Sequence, residues 1–119
     1  MRRLFKSFGF AINGLVTAWR EQLNLKIHAA IAFLVLILGW QMRISKYEWS
    51  VVILCIGVVL AAELFNSAIE KWVDLVQPQR NETAGRIKDI SAAAVLVVAL
   101  AAAVVGVIVF LTSYFNRIS

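Results

Sequence analysis

The sequence is poor in the residues that build redox and metal centres. It contains one cysteine, one histidine and one proline among 119 residues, and only 16% of its residues are charged. Cys55 stands alone inside an apolar run, which favours a buried structural thiol over redox or metal chemistry. His28 has no cysteine or second histidine beside it, so a hydrogen-bonded structural histidine is favoured over a metal ligand. Neither residue by itself indicates a metal centre.

The sequence also lacks the common nucleotide-binding and hydrolase motifs. It has no GxxxxGK[ST] phosphate loop, no Rossmann glycine pattern and no Ser-His-Asp arrangement, so any nucleotide must be held by helix side chains. The net charge of +5 could indicate nucleic acid. However, the basic residues stand at the ends of apolar runs and do not interleave with exposed aromatic residues. We therefore expect no nucleic-acid partner.

Apolar residues dominate what is present. They make up 61% of the chain, and the mean hydropathy is +0.81, whereas soluble domains are roughly 45–50% apolar. Three apolar stretches leave no room for a soluble domain, so the membrane is the expected solvent. The sequence predicts an all-α membrane protein with a single domain, residues 1–119, made of an amphipathic surface helix and three transmembrane helices. The surface helix is expected over residues 1–21, and the transmembrane helices over 23–42, 49–76 and 88–114.

The distribution of basic residues predicts the orientation in the membrane. With three spans, the N-terminus and the second loop lie on one side and hold nine of the 12 Lys and Arg residues. These nine are Arg2, Arg3, Lys6, Arg20, Lys26, Lys71, Arg80, Arg86 and Lys88. The positive-inside rule therefore puts both segments in the cytoplasm of a multi-pass protein.

The third apolar helix is rich in small residues. Ala99 with Ala103, and Ala102 with Gly106, have the small-xxx-small spacing that lets membrane helices approach closely. The sequence leaves open whether the neighbouring helix belongs to the same chain or to another copy. Because three short spans enclose little volume, we expect a homo-oligomer.

A polar stripe on the middle helix is the feature that points to chemistry. Relative to Glu63, the residues Asn66, Ser67, Glu70 and Asp74 fall within a stripe roughly 100° wide. Glu63 is expected roughly 9 Å inside the cytoplasmic boundary, where a carboxylate is costly unless it is paired, protonated or solvated. A general base is one reading of Glu63. An ion pair with a Lys, or a hydrogen bond across an oligomer interface, is the other.

Each of the remaining polar groups could have either a binding role or an ordinary structural role. Glu70 and Asp74 could hold Mg²⁺ together with ATP phosphates, or could simply form a solvated face. Lys88 and Asp89, expected to open the third helix, could meet phosphate or could be ordinary helix-start residues. At the start of the first span, three residues are expected to share one helix face, namely Glu21, Asn24 and His28.

Two segments carry a specific resemblance to a known family. They read ELFNSAIEKWVD over residues 63–74 and KDISAAAV over residues 88–95. Together they closely resemble the prokaryotic diacylglycerol kinase family, and the likeness covers almost the whole chain. The segment NLKIH, residues 24–28, is more similar to the undecaprenol kinase branch than to the enterobacterial diacylglycerol kinase branch.

The resemblance implies a homotrimeric lipid kinase of the bacterial cytoplasmic (inner) membrane, with active sites shared between protomers. It implies MgATP as phosphoryl donor and a membrane lipid alcohol as acceptor, undecaprenol first and diacylglycerol second. Glu63 would be the catalytic base and Glu70 a Mg²⁺ ligand. The residues that would line the nucleotide site are Arg3, Lys6, Asn66, Glu70, Asp74, Lys88 and Asp89.

One position departs from the family pattern. Two residues before the Asn of the motif, where the family usually has a metal-binding carboxylate, this chain has Gln22, with Glu21 beside it. Either Glu21 replaces the missing ligand, or metal binding is weaker and depends on Glu70 and the phosphates. The rival to the kinase reading is a non-catalytic oligomeric scaffold, or a small helical bundle whose carboxylates bind protons or cations.

Overall fold

The chain forms four helices and no strand, which confirms the all-α class. The computed structural model describes residues 1–119 and contains α1 (Arg2–Glu21), α2 (Leu23–Met42), α3 (Lys46–Val76) and α4 (Glu82–Ile118). The last three helices are each long and apolar enough to cross a membrane. Their number and order agree with the prediction from the apolar stretches.

Gln22 separates α1 from α2. Its backbone is extended, with φ −113° and ψ 106°, while its N–H still donates to the carbonyl of Ala18. The helix axis is therefore interrupted between Glu21 and the residues that follow. The expectation that Glu21 shares a helix face with Asn24 and His28 is wrong, because Glu21 ends one helix and the other two belong to the next.

The turn between α2 and α3 is closed by backbone and side-chain hydrogen bonds. Arg43 takes the left-handed conformation (φ 54°, ψ 51°), and the N–H of Ile44 donates to the carbonyl of Gly39 at 3.3 Å. Ser45 and Glu48 then form a capping box, each side chain accepting from the other's backbone N–H. This box starts α3 at Lys46, three residues before the start expected from the apolar pattern.

A second cap starts α4 earlier than expected. The Asn81 side chain accepts from the N–H of Ala84 at 3.0 Å, so the helix begins at Glu82 instead of Lys88, and it continues to Ile118 instead of residue 114. Lys88 and Asp89 consequently lie in the second turn, beyond the four N–H groups that a helix start leaves free. The prediction that they open this helix is wrong, and any role in phosphate binding must come from their side chains.

The helices are tied together most firmly at the end of the molecule that holds the α2–α3 turn. A small core of Ile44, Val52 and Val109 lies there. The hydroxyl of Ser113 donates to the carbonyl of Met42 at 3.5 Å, and the Arg117 guanidinium donates to that of Gln41 at 3.3 Å. The positive charge of Arg117 also interacts favourably with the negative end of the α2 helix dipole. This end therefore fixes how α2, α3 and α4 sit relative to one another.

The chain is thin and leaves much of its surface uncovered. It measures 59 × 42 × 20 Å, and only 12 of 119 residues are buried. Its accessible surface is 9276 Å², whereas a compact soluble protein of this mass exposes about 6,400 Å². All four members of the small-residue pairs of α4 line a cavity. Lipid or another copy must cover this surface.

Candidate active site

The polar stripe of α3 changes from buried to exposed along the helix. Glu63 is 2% exposed, Asn66 6% and Ser67 5%, so these three face the interior of the protein. Glu70, one turn after Asn66, is half-buried, and Asp74 is exposed. The stripe therefore leads from solvent to an enclosed carboxylate, as the spacing of its members indicates.

Two of the buried groups differ in how their hydrogen bonds are satisfied. The hydroxyl of Ser67 donates to the carbonyl of Glu63 at 2.9 Å, so it is satisfied within α3. The Oδ1 atom of Asn66 is buried and has no hydrogen-bond partner in the chain. A buried acceptor without a partner costs about 1–3 kcal/mol. Asn66 is thus ready to accept a hydrogen bond or to contact a cation.

His28 of α2 meets the buried carboxylate. Its Nε2 lies 3.6 Å from Oε2 of Glu63, and the two side chains are 21% and 3% exposed. The contact joins α2 to α3 at the deepest polar group of the site. Polar groups within transmembrane helices usually pair with one another, and this pair follows that rule.

An apolar cavity of about 650 Å³ begins at His28 and runs between α2, α3 and α4. Of its 19 lining residues, 17 are hydrophobic, and the other two are His28 and Gly106. His28 and Met42 both line it, and they are separated by about 21 Å along α2 at 1.5 Å per residue. The cavity therefore extends over much of a hydrocarbon layer about 30 Å thick, with one imidazole at one end.

Two ion pairs bring other predicted site residues together. Lys88 of α4 pairs its Nζ with Oδ1 of Asp74 on α3. Lys71 of α3 pairs its Nζ with Oε2 of Glu21, the last residue of α1. Both pairs are partly exposed, so each contributes little to stability. The two ion pairs matter for the site because they place the end of α1 and the second turn of α4 beside the outer part of the polar stripe.

Arg3 and Lys6 are not brought to this region within the chain. Both are exposed, form no ion pair, and lie roughly 23–27 Å along α1 from Glu21. Asp89 is also exposed and makes no ion pair. Gln22 is half-buried at the break between α1 and α2. The single chain thus assembles part of the predicted site.

The oxygen ligands present suit a hard cation that also binds phosphate. No group of three or more His, Cys, Asp or Glu side chains forms a complete metal site. Asn66 Oδ1, which lacks a partner, and the carboxylate of Glu70 lie one turn apart on the same stripe. Mg²⁺ commonly binds through one or two carboxylates and takes its remaining ligands from phosphates and water. The residues therefore fit Mg²⁺ held jointly with a nucleotide.

Sequence reasoning missed two members of this arrangement. Lys71 was not among the predicted site residues, although it holds Glu21 against α3. The sequence predicts a structural role for His28 without indicating its partner, and the structure pairs it with Glu63. The available signal was the rarity of polar residues in transmembrane helices, which predicts that two of them should meet.

Comparison with known proteins adds an independent observation. Residues 9–110 match the family described as prokaryotic diacylglycerol kinase. An undecaprenol kinase of Bacillus subtilis (strain 168) is 39% identical over 111 residues, which cover 93% of this chain and 90% of the relative. A diacylglycerol kinase of Escherichia coli (strain K12) is 29% identical over 96% of this chain and 93% of its own. A diacylglycerol kinase of Helicobacter pylori (strain J99) is 30% identical over 97% of this chain and 90% of its own.

Proposed function

Because this chain belongs to the prokaryotic diacylglycerol kinase family, it is an integral membrane lipid kinase that uses ATP, and we propose that its acceptor is undecaprenol. The greater identity to the undecaprenol kinase, 39% against 29% for the Escherichia coli diacylglycerol kinase, supports this choice. Diacylglycerol is the second candidate, since both lipids place a hydroxyl at the end of apolar chains. The observation that carries the proposal is the buried carboxylate of Glu63 beside an apolar cavity.

Glu63 is the proposed base. In the reaction, the lipid hydroxyl oxygen attacks the γ-phosphorus of ATP and forms a new oxygen–phosphorus bond. The bond from the γ-phosphorus to the β–γ bridging oxygen breaks, and ADP leaves with its electron pair. The hydroxyl proton passes to a carboxylate oxygen of Glu63. Because Glu63 is enclosed at the lipid end of the stripe, water is kept away from it. Water would otherwise compete with the lipid as acceptor of the phosphoryl group.

The outer part of the stripe is the proposed nucleotide site. Lys88 meets the phosphates as a point charge, and Asn66, Asp74 and Asp89 contact the nucleotide. Arg3 and Lys6 reach the same phosphates from α1 of a neighbouring copy, since the single chain does not bring them to this region. Glu70 would hold Mg²⁺, with Glu21 or Gln22 as a further ligand, and the ion would supply neutralisation of the phosphate charge. Phosphoryl transfer depends mainly on positioning and charge neutralisation, which side chains on rigid helices can supply.

The proposed arrangement in the membrane follows from charge and exposed surface. α1 lies as an amphipathic helix at the cytoplasmic surface, and the N-terminus and the α3–α4 loop face the cytoplasm of the bacterial inner membrane. As the family resemblance implies, the functional unit is a homotrimer, in which neighbouring copies cover exposed apolar surface and complete the shared sites. The large accessible surface of the single chain supports an assembly.

The test is a direct assay of lipid phosphorylation. Purified protein in detergent micelles is given Mg²⁺, γ-labelled ATP and either undecaprenol or diacylglycerol, and then both lipids in competition. We expect labelled lipid phosphate from each, with undecaprenol preferred in competition. Preference for diacylglycerol would overturn the choice of acceptor alone. No labelled lipid under any condition would overturn the kinase function and favour a non-catalytic membrane scaffold or cation-binding bundle.

A further inference from the structure

The structure joins the buried carboxylate to the apolar cavity through one side chain, His28. We propose that His28 is a positioning residue, whose Nε2 holds one oxygen of the Glu63 carboxylate and thereby orients the other toward the lipid hydroxyl. The inference rests on the proposed function of Glu63 as the base. The proposal gives His28 a role in the reaction, whereas the sequence composition alone favours a structural role for it.

The distance between the two groups suits a contact that tightens when substrate binds. Nε2 of His28 lies 3.6 Å from Oε2 of Glu63, slightly beyond the 2.7–3.2 Å of an N–H···O hydrogen bond. Catalytic hydrogen bonds are often long before substrate is present and shorten in the reactive complex. The imidazole needs to move by only a few tenths of an ångström to donate to the carboxylate.

Burial makes this contact consequential. The Glu63 side chain is 3% exposed, and its only ion-pair contact within the chain is with His28. An enclosed carboxylate interacts strongly with the few polar groups near it, because little water screens the charge. Loss of the imidazole would leave Glu63 free to rotate or to turn toward other donors. A base whose lone pair is misdirected by about 1 Å can lose roughly 100-fold in rate.

His28 also marks where a lipid hydroxyl would lie. Among the 19 residues that line the cavity, His28 has the only side chain with a nitrogen atom. If a lipid chain fills the cavity, its terminal hydroxyl can form a hydrogen bond best at this end, beside His28 and hence beside Glu63. The same imidazole therefore lies at the junction of the apolar cavity and the base.

The first part of the test is spectroscopic and needs no turnover. His28 is the only histidine, so protein labelled with ¹⁵N-histidine gives a single set of imidazole resonances. We expect Glu63→Gln to shift the Nε2 resonance of His28. The matched control is Glu82→Gln, which removes an exposed carboxylate paired with Arg86, and it should leave the resonance in place. If the chemical shift of Nε2 were unchanged in Glu63→Gln, the proposal would be overturned.

The second part measures kcat and KM in three variants of His28. His28→Leu should lower kcat by about 10–100-fold and leave KM for ATP unchanged. His28→Gln places an amide nitrogen near the position of Nε2 and should restore most of the lost kcat. His28→Asn places its amide nitrogen near the position of Nδ1 and should not. Because the Gln and Asn variants are both polar, their difference keeps the test informative even if the Leu variant misfolds.

The double variant His28→Leu/Glu63→Gln shows whether His28 acts through Glu63. If it does, the double variant should be no slower than Glu63→Gln alone, within about twofold. Equal losses in both backgrounds, wild-type kcat in folded His28→Leu, or equal rescue by Gln and Asn would each overturn the positioning role. Absence of lipid phosphate from wild-type protein is a separate outcome, since it would overturn the proposed function itself.

Discussion

Lys88 of α4 forms an ion pair with Asp74 of α3 where the exposed part of the polar stripe ends. Their side chains are 36% and 61% exposed, so the pair contributes at most about 1 kcal/mol to stability. Both residues are nevertheless proposed to contact the nucleotide. The pair could therefore serve to hold α3 and α4 together or to bind the phosphates of ATP. Exchanging the two charges distinguishes these roles, because the exchange keeps the ion pair but removes the positive charge at position 88.

We predict that Lys88→Met raises KM for ATP by about tenfold or more, since a hydrogen bond to a charged group contributes about 1.5–3 kcal/mol. The charge-exchanged variant Asp74→Lys/Lys88→Asp keeps an ion pair between α3 and α4 and should still bind ATP poorly. The measurement is the initial rate as a function of ATP concentration. Recovery of wild-type KM in the exchanged variant would show that the pair has only a structural role.

Replacement of the buried carboxylate should affect turnover far more than binding. Glu63→Gln keeps the size and polarity of the side chain but removes its basicity, so kcat should fall by about 10²–10⁴-fold with a small change in KM for ATP. The measurement is labelled lipid phosphate under saturating ATP and lipid. Glu82→Gln provides a matched control, because its carboxylate is exposed, and should retain wild-type kcat. Full turnover by Glu63→Gln would exclude Glu63 as the base.

The sequence predicts some helix boundaries well and others poorly, for identifiable reasons. The bounds of α2 agree with the prediction because its apolar run is flanked by Gln22 and Arg43. The apolar pattern predicts starts of α3 and α4 that are too late, because the first turn of each helix is polar. Their true signals are the capping box of Ser45 with Glu48 and the Asn81 cap.

Contacts between helices were harder to predict than positions along one helix. The stripe of α3 follows from a period of 3.6 residues, which fixes the angles between its members. That period does not fix how α2 is rotated against α3, so the approach of His28 to Glu63 could not be derived from spacing. The pairing of Glu21 with Lys71 likewise depends on the break at Gln22, where the backbone leaves the helical conformation.

Gly39 is predicted to be required for the packing of the α2–α3 turn. A Cβ atom at this position would lie 3.0 Å from Cη2 of Trp49 and 3.1 Å from Cδ1 of Ile44. We expect Gly39→Ala to lower the free energy of unfolding by about 1–3 kcal/mol through overpacking. The matched control is Gly57→Ala, whose Cβ would meet nothing within 4 Å, and it should be neutral or stabilising.

The measurement for both glycine variants is unfolding by sodium dodecyl sulfate in mixed micelles. Trp49→Phe removes the ring atoms that crowd position 39 and should recover part of the stability lost in Gly39→Ala. If Gly39→Ala were as stable as Gly57→Ala, the close contact with Trp49 would not limit the turn.

The metal requirement should depend on Glu21, because Glu21 pairs with Lys71, the residue that follows Glu70 on α3. If Glu21 replaces the missing family carboxylate, Glu21→Gln should raise the Mg²⁺ concentration for half-maximal rate by roughly tenfold, the loss of one charged contact. Lys71→Gln removes the ion pair that places Glu21 beside α3 and should raise that concentration as well. Gln22→Glu introduces the carboxylate that the family resemblance implies at this position and tests the neighbour of Glu21. Unchanged Mg²⁺ dependence in both Glu21→Gln and Gln22→Glu would exclude both positions and leave Glu70, with the phosphates, as the metal site.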